Sequence, residues 1–301
     1  MNIQDALAVL VEGNDLDQSQ TQDVFQLIMS GDATPAQIGA FLAAIRVKGE
    51  TPEEIAGAAQ VMRSLSTKVE VSHPNLVDTC GTGGSGSNKF NVSTASAFVA
   101  AAAGAKVAKH GNRGATSKSG SADVLEAAGV NLEATADQVA ASIQQVGVGF
   151  MFAPAHHSAM KHVINARKEI GIRTVFNLLG PLTNPAGAPN QIMGVFDASW
   201  IPILLEVLKS LGSNHVLIVA AEDGLDEISI AAPTTVGELK AGKISSYSVS
   251  PEDFGIEQYA DCNSLKIDSA EESLTMLRQA LTYEHKAAGD IVALNAGAAI
   301  Y

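Results

Sequence analysis

Cysteine is almost absent from this sequence, and so is any segment that would direct the chain to a membrane. The 301 residues include two cysteines, Cys80 and Cys262, in unrelated surroundings. Two thiols are too few for a disulfide framework or a zinc cluster. The N-terminus has no basic leader, and no apolar run approaches membrane-spanning length. We therefore expect a soluble protein of the reducing cytoplasm, without a membrane partner.

Basic residues are also scarce. Lys and Arg together number 19 against 32 Asp and Glu, which gives a net charge of −13. An acidic surface disfavours binding to nucleic acid or to anionic lipid, so we expect neither partner. The length is sufficient to bury a large core in one main domain with a smaller appendage.

Acidic residues are missing from one long segment, because residues 79–122 contain no Asp or Glu. The segment opens with four glycines within positions 81–86. Its basic side chains are Lys89, Lys106, Lys109, His110, Arg113 and Lys118. Glycines let backbone N–H groups approach phosphate oxygens, cations balance the charge, and no carboxylate repels it. The segment therefore predicts a site for a phosphorylated, most simply diphosphorylated, small molecule.

The glycine run has two other interpretations. Gly81, Gly83 and Gly86 satisfy the G-x-G-x-x-G pattern of dinucleotide-binding folds. However, the predicted helix does not begin at the last glycine, and Lys106 and Lys109 stand where an acid for a ribose hydroxyl is expected. A tight turn that needs glycine for backbone reasons alone is the second alternative. Four glycines in so short a run favour phosphate binding.

A group of carboxylates follows the most strand-like run, residues 215–221. Glu222, Asp223, Asp226 and Glu227 fall within six positions of one another. Hard oxygen ligands suit Mg²⁺, which also binds substrate phosphates. Plain surface charge is the alternative. We favour the metal, because a diphosphate site is predicted on a neighbouring strand and ligands of such sheets gather at the carboxyl ends of the strands.

The two halves of the chain show different periodicities. Capping boxes at Ser19/Gln22, Thr34/Gln37 and Thr51/Glu54 start predicted helices in the first seventy residues. From about residue 76 short strands alternate with helices, which predicts an α/β domain with a mostly parallel sheet. We expect a helical domain at 1–72 and an α/β domain at 73–301, and residues 158–188 could join the helical lobe.

The helical lobe has more apolar surface than a small bundle can bury. Residues 38–45 are apolar on two sides of one predicted helix. These faces must pack on the larger domain or on a second copy of the chain. We expect a homodimer formed through this lobe.

Six sequence blocks, spread in order along the chain, closely resemble those of the anthranilate phosphoribosyltransferase family. They are GTGG at 81–84, FNVSTASAF at 90–98, KHGNR at 109–113, SKSGSADVLEAAGV at 117–130, RTVFNLLGPLTNPA at 173–186 and GLDEIS at 224–229. The resemblance implies the nucleoside phosphorylase/phosphoribosyltransferase fold, a homodimer and Mg²⁺. It also implies transfer of the phosphoribosyl group of phosphoribosyl pyrophosphate (PRPP) to anthranilate in tryptophan biosynthesis, by positioning and charge without a catalytic side chain.

The resemblance assigns residues to three groups. Those matching PRPP-binding positions are Gly81, Gly83, Gly84, Ser85, Lys89, Asn91, Val92, Ser93, Thr94, Lys109, His110, Gly111, Asn112, Arg113, Gly114, Ala115, Thr116, Ser117 and Ser121. Those expected around anthranilate are Gly81, His110, Asn112, Arg167, Gly180 and Pro181. Those expected at the metal are Ser93, Asp226 and Glu227. Without the resemblance, Arg167 would be an ordinary solvated helical arginine.

The chain departs from the family pattern in places. Ser85 and Lys89 stand where the family usually has Asp and Thr, which should favour phosphate and alter the handling of metal. Family members also continue past the position of Tyr301, so we expect their last helices and strand to lie outside this sequence. Two alternatives remain, a pyrimidine nucleoside phosphorylase of the same fold and a non-catalytic paralogue that binds nucleic acid.

Overall fold

The computed structural model describes residues 1–83, 86–114 and 117–301. The first seventy residues form the helical lobe that the sequence predicts. Its helices are α1 (Ile3–Val11), α2 (Gln18–Ser30), α3 (Pro35–Lys48) and α4 (Pro52–Leu65). None of the helices in the described residues is both long and apolar enough to cross a membrane.

The predicted starts of α3 and α4 are confirmed, and that of α2 is wrong. Thr34 and Thr51 each cap a helix with a reciprocal bond from the residue three positions on. In α2 the capping box is formed by Asp17 with Gln20, so Ser19 lies inside the helix. Aspartate is as good an N-cap as serine, and it comes first in the chain.

The described residues contain seven strands that form one sheet. They are β1 (Leu76–Gly81), β2 (Lys106–Gly111), β3 (Val148–Phe152), β4 (Asn190–Gly194), β5 (His215–Ala221), β6 (Thr234–Lys240) and β7 (Lys243–Val249). Their order across the sheet is β3-β2-β1-β4-β5-β6-β7. Strands β1 to β5 pair in parallel with one another, and β6 pairs antiparallel with both β5 and β7. The prediction of a helical lobe with a mostly parallel α/β sheet is confirmed.

Helices cover both faces of this sheet. In chain order they are α5 (Val92–Ala102), α6 (Ser121–Ala127), α7 (Ala136–Val146), α8 (Ala153–His156), α9 (Ile164–Ile170), α10 (Phe176–Leu182), α11 (Trp200–Ser210), α12 (Ala270–Thr282) and α13 (Lys286–Ile300). Short 3-10 turns occupy Ser158–His162, Pro251–Phe254 and Asn263–Leu265. Helices α5 and α13 pack together on one face, and α11 packs on α4 of the helical lobe on the other.

The apolar faces of the helical lobe are buried against the α/β domain. Ile38, Phe41, Leu42 and Ile45 are fully buried, and one continuous core joins them to residues of β4, β5 and α11. Helix α9 packs on α3, and α10 packs on α4, so part of residues 158–188 lies against the helical lobe. The sequence predicts that these apolar faces pack either on the larger domain or on a second copy of the chain. In the structure the larger domain covers them. Homodimerisation stays a prediction.

Candidate active site

The carboxyl ends of β1, β4 and β5 bring the acidic group next to the start of α5. Ser93, Asp226 and Glu227 line one small cavity, together with Thr79 and Gly194. A Cβ atom on Gly194 would lie 1.7 Å from the carbonyl oxygen of Asp226. A Cβ on Gly81 would lie 3.1 Å from its carboxylate. Gly81 ends β1 and Gly194 ends β4. Because neither has a side chain, the loop that carries Asp226 can approach the edge of the sheet.

Lys109 provides the positive charge at this cavity. Its side chain is buried, and Nζ donates to the carbonyl of Thr79 and to Oγ of Ser93, the latter at 3.2 Å. Burial lowers the pKa of Lys109, and the nearby carboxylates of Asp78 and Glu227 oppose that shift. The ammonium is therefore held at a fixed point where an anionic ligand would meet it.

The charged form of Glu227 is disfavoured where this residue lies. Burial, followed by the neighbouring carboxylate of Asp226, raises the pKa of Glu227 well above its usual value. A divalent cation would remove this conflict, and the oxygen donors of Asp226, Glu227 and Ser93 fit Mg²⁺. In the described parts of the chain no three His, Cys, Asp or Glu side chains form a metal cage. A metal held here would complete its shell with water and substrate oxygens, as Mg²⁺ usually does.

Helix α5 begins within the predicted phosphate-binding stretch 91–94. Asn91 is the N-cap residue, and its amide oxygen accepts hydrogen bonds from the hydroxyls of Ser119 (2.8 Å) and Ser273 (2.7 Å). Val92 is buried in the core. The buried hydroxyl of Thr94 has no partner among the described residues. Asn91 thus connects the stretch 91–94 to the segment that follows β2, and the hydroxyl of Thr94 is left for a ligand to bind.

Some of the other predicted PRPP residues lie near the start of α5 and α6, and others form contacts with acidic or basic residues away from the cavity. Gly111 ends β2 so close to Ser121 that a Cβ would lie 2.1 Å from its hydroxyl. Arg113 is paired with acidic side chains of α6. Lys89 forms an isolated β-bridge with Lys266. Gly84, Ser85, Ala115 and Thr116 lie outside the described residues.

A second buried cluster surrounds His110, one of the residues expected around anthranilate. Nδ1 of His110 lies 3.2 Å from the carbonyl of Gly180, and the ring centroid is 5.2 Å from that of His157. Burial lowers the pKa of His110 to about 3 and that of His157 to about 4. Both rings are therefore neutral near pH 7, and Nε2 of each has no hydrogen-bond partner in the described chain.

Arg167 lies on α9, beside the helix that carries Gly180 and Pro181. Its guanidinium is 5.1 Å from the ring centroid of Phe176 on α10. Burial lowers the pKa of Arg167. Among the described residues no carboxylate forms an ion pair with it. A half-desolvated cation without a counter-ion is suited to the carboxylate of a small ligand.

A buried polar network connects the two clusters, and the sequence did not reveal it. Asp78 is fully buried; its carboxylate accepts the backbone N–H of His110 (3.1 Å) and the amide of Asn184 (2.7 Å). Burial raises the pKa of Asp78, while Lys109 and these two donors oppose the shift. Gln191 donates to the carbonyl of Pro181 at 2.7 Å. Asp78 follows the apolar pair Leu76 and Val77, and Gln191 immediately precedes the apolar run 192–196. A polar residue beside an apolar strand-like run is the signal that could have found them.

Comparisons with known proteins match both lobes of the chain. The helical bundle domain of the glycosyl transferase family matches residues 4–66, and the a/b domain of that family matches residues 73–301. Fold and site together define a glycosyltransferase.

Individual relatives narrow this class. The anthranilate phosphoribosyltransferase of Hahella chejuensis is 61% identical over 100% of this chain and 88% of its own length. That of Teredinibacter turnerae is 60% identical over 100% of this chain and 89% of its own. The chain belongs to the anthranilate phosphoribosyltransferase family.

Solved structures of the family superpose on this fold. The Thermus thermophilus enzyme has a TM-score of 0.92 at 43% identity, covering 99% of this chain and 88% of its own. The Saccharomyces cerevisiae enzyme in complex with PRPP and Mg has a TM-score of 0.89 at 29% identity, covering 98% of this chain and 87% of its own. The same yeast enzyme has also been solved in complex with 4-fluoroanthranilate.

Proposed function

We propose that this chain transfers the phosphoribosyl group of PRPP to the amine of anthranilate, with Mg²⁺, as a step of tryptophan biosynthesis. One observation carries the proposal. The acid-free segment and the acidic pair Asp226 and Glu227, far apart in sequence, meet at one cavity beside the start of α5. Lys109, which is hydrogen-bonded to Ser93, thus lies next to the carboxylate oxygens that would hold the metal.

The donor half of the site works by charge. Pyrophosphate gains negative charge as it leaves the anomeric carbon, and Lys109 is already fixed beside Ser93 to receive that charge. Bound Mg²⁺ would supply further neutralisation of the departing group. Because Lys109 is buried, its charge is little screened by water.

The acceptor half works by orientation. Arg167 would hold the carboxylate of anthranilate, and the loop at Gly180 and Pro181 would lie along its ring. An aromatic amine is nucleophilic without prior deprotonation, so correct placement outweighs a strong base. The neutral rings of His110 and His157 offer Nε2 acceptors for an amine N–H and add no positive charge that would repel the oxocarbenium-like ribose.

Loss of anthranilate fluorescence tests the proposal directly. Addition of PRPP and Mg²⁺ should quench the signal, and chelation by EDTA should stop the reaction. Parallel assays contain uridine or thymidine with inorganic phosphate. Turnover of a nucleoside with no loss of anthranilate would establish the phosphorylase instead.

We also propose that the protein is a cytoplasmic homodimer that does not bind nucleic acid. The net charge of −13 supports the last point. The side chains of Val11 (73% exposed) and Val47 (87% exposed) support a contact through α1 and α3. Light scattering at micromolar concentration should give the mass of a dimer, and Val47→Glu should lower it. A monomeric mass for the unmodified chain would contradict the proposal.

A further inference from the structure

The acid-free segment ends at Asp123, and the backbone of the segment itself binds this carboxylate. Asp123 lies in the first turn of α6. One carboxylate oxygen accepts the backbone N–H groups of Gly114 and Gly120, both at 2.8 Å. The other accepts a guanidinium N–H of Arg113 at 3.1 Å. The first acid after the gap therefore joins the two ends of the stretch 114–120.

Glu126, one turn further along α6, completes the arrangement. Its two oxygens accept from the two terminal nitrogens of Arg113 at 2.6 and 2.8 Å, which is a bidentate pair. Burial acts to raise the pKa of Asp123, but the N–H donors and Arg113 outweigh it and lower the pKa overall. Carboxylates near a phosphate site would normally repel the ligand. Here both carboxylates accept hydrogen bonds from the protein itself, Asp123 from backbone N–H groups and Arg113, and Glu126 from Arg113.

Backbone packing shows how closely the ends of the stretch are joined. A Cβ atom on Gly120 would lie 2.3 Å from the amide nitrogen of Gly114 and 2.5 Å from the carbonyl oxygen of Asn112. Ala122 donates its N–H to that same carbonyl at 3.1 Å. Asn112 and the start of α6 are therefore held against each other, and small changes at α6 would move the predicted PRPP contacts.

We propose that Asp123 and Glu126 are positioning residues for PRPP, and that Arg113 acts as their partner and not as a direct ligand of the pyrophosphate. This inference rests on the proposed function. It assigns binding energy to two acids outside the predicted PRPP set. The alternative is that Glu126 merely restrains an Arg113 that would otherwise bind the substrate. In that case Glu126→Gln should lower the KM for PRPP, whereas our inference predicts that it raises this KM.

Steady-state kinetics of a double-mutant cycle test the inference. Glu126→Gln and Arg113→Gln should each raise the KM for PRPP about threefold to fivefold, as expected for one well-formed surface pair, with kcat nearly unchanged. Arg113→Gln removes this pair and also the bond to Asp123, so the double variant should be no worse than Arg113→Gln alone. Asp123→Asn should raise this KM at least about tenfold, since its carboxylate holds three donors.

The control is Glu133→Gln, which removes the same charge from an exposed residue whose side chain forms no hydrogen bond or ion pair with the described residues. Its KM should match that of the unmodified protein. Circular dichroism confirms that each variant is folded, and calorimetry with PRPP and Mg²⁺ measures binding without turnover. A fall in KM for Glu126→Gln, or additive effects in the cycle, would overturn the inference. An inactive unmodified chain would instead count against the proposed function.

Discussion

Replacing His157 by Asn should remove part of the acid sensitivity of this fold. The imidazole is buried, the carbonyl of Thr183 accepts a hydrogen bond from it, and Nε2 has no partner within the described chain. The asparagine amide nitrogen sits where Nδ1 sits in histidine, so the bond to Thr183 can persist. The substitution deletes the titrating ring while keeping its structural donor.

The magnitude follows from the pKa values. Burial lowers the pKa of His157 from 6.5 to about 4. Below pH 6.5 the unfolded chain binds a proton that the folded chain refuses, so stability falls as the pH falls towards 4. Between about pH 7 and about pH 5 this one group should cost about 2 kcal/mol of unfolding free energy. The variant will be less stable at both values because of its smaller side chain, but the difference between the two values isolates the titration.

Urea unfolding followed by far-ultraviolet circular dichroism measures both free energies. We expect the loss of stability between the two pH values to be about 2 kcal/mol smaller in His157→Asn than in the unmodified protein. His162→Asn, the same chemical change at an exposed position, is the control. If His157→Asn and the unmodified chain lose the same stability on acidification, His157 is not held neutral by burial.

Three further predictions address the site. Gly194→Ala should weaken Mg²⁺-dependent PRPP binding measured by calorimetry and cost about 1–3 kcal/mol of stability, because its Cβ meets backbone; Gly297→Ala, which meets nothing within 4 Å, should do neither. Asp78→Asn should lower the unfolding free energy in urea by about 1–3 kcal/mol, since an amide cannot accept from both buried donors. Arg167→Ala should raise the KM for anthranilate strongly and leave that for PRPP nearly unchanged, with Lys168→Ala as control. Equal loss for both substrates would refute the assignment of Arg167 to the acceptor.

The sequence predicted the elements whose signals are local. The caps of α3 and α4 and the strand-like run 215–221 favour the observed elements locally, and so does the buried apolar run 148–152, which forms β3. The apolar run 192–196 likewise predicts a strand, but β4 lies at Asn190–Gly194. Its pairing with β1 fixes that register, and a single strand carries no record of its partner.

The antiparallel hairpin of β6 and β7 was missed for a physical reason. Strand β7 is exposed along most of its length and rich in serine, so it lacks the apolar alternation that marks a strand. Strand β6 contains Gly237, whose missing Cβ makes room for Ile201 of α11. This close contact depends on α11, which is distant in sequence from β6. In the sequence alone a glycine within a strand predicts a break in that strand.

Composition alone was enough to predict where the site lies, but the polar network beneath it could not be predicted. The gap in acids predicts a phosphate segment, and the acids that follow β5 predict a metal site. The network of Asp78, Asn184 and Gln191 depends on side chains brought together from β1, from the loop after α10 and from β4. No spacing rule in the sequence encodes a meeting of that kind.

The uninterrupted core that runs from α3 into the sheet has a consequence for how the molecule comes apart. Neither lobe can separate without exposing the inner faces of both, so no intermediate with one lobe melted should accumulate during equilibrium denaturation. Arg167, the proposed anthranilate ligand, is carried on α9, whose Ala166 belongs to that shared core. Melting of one lobe is therefore not a route by which Arg167 could move away from Lys109, the proposed pyrophosphate ligand.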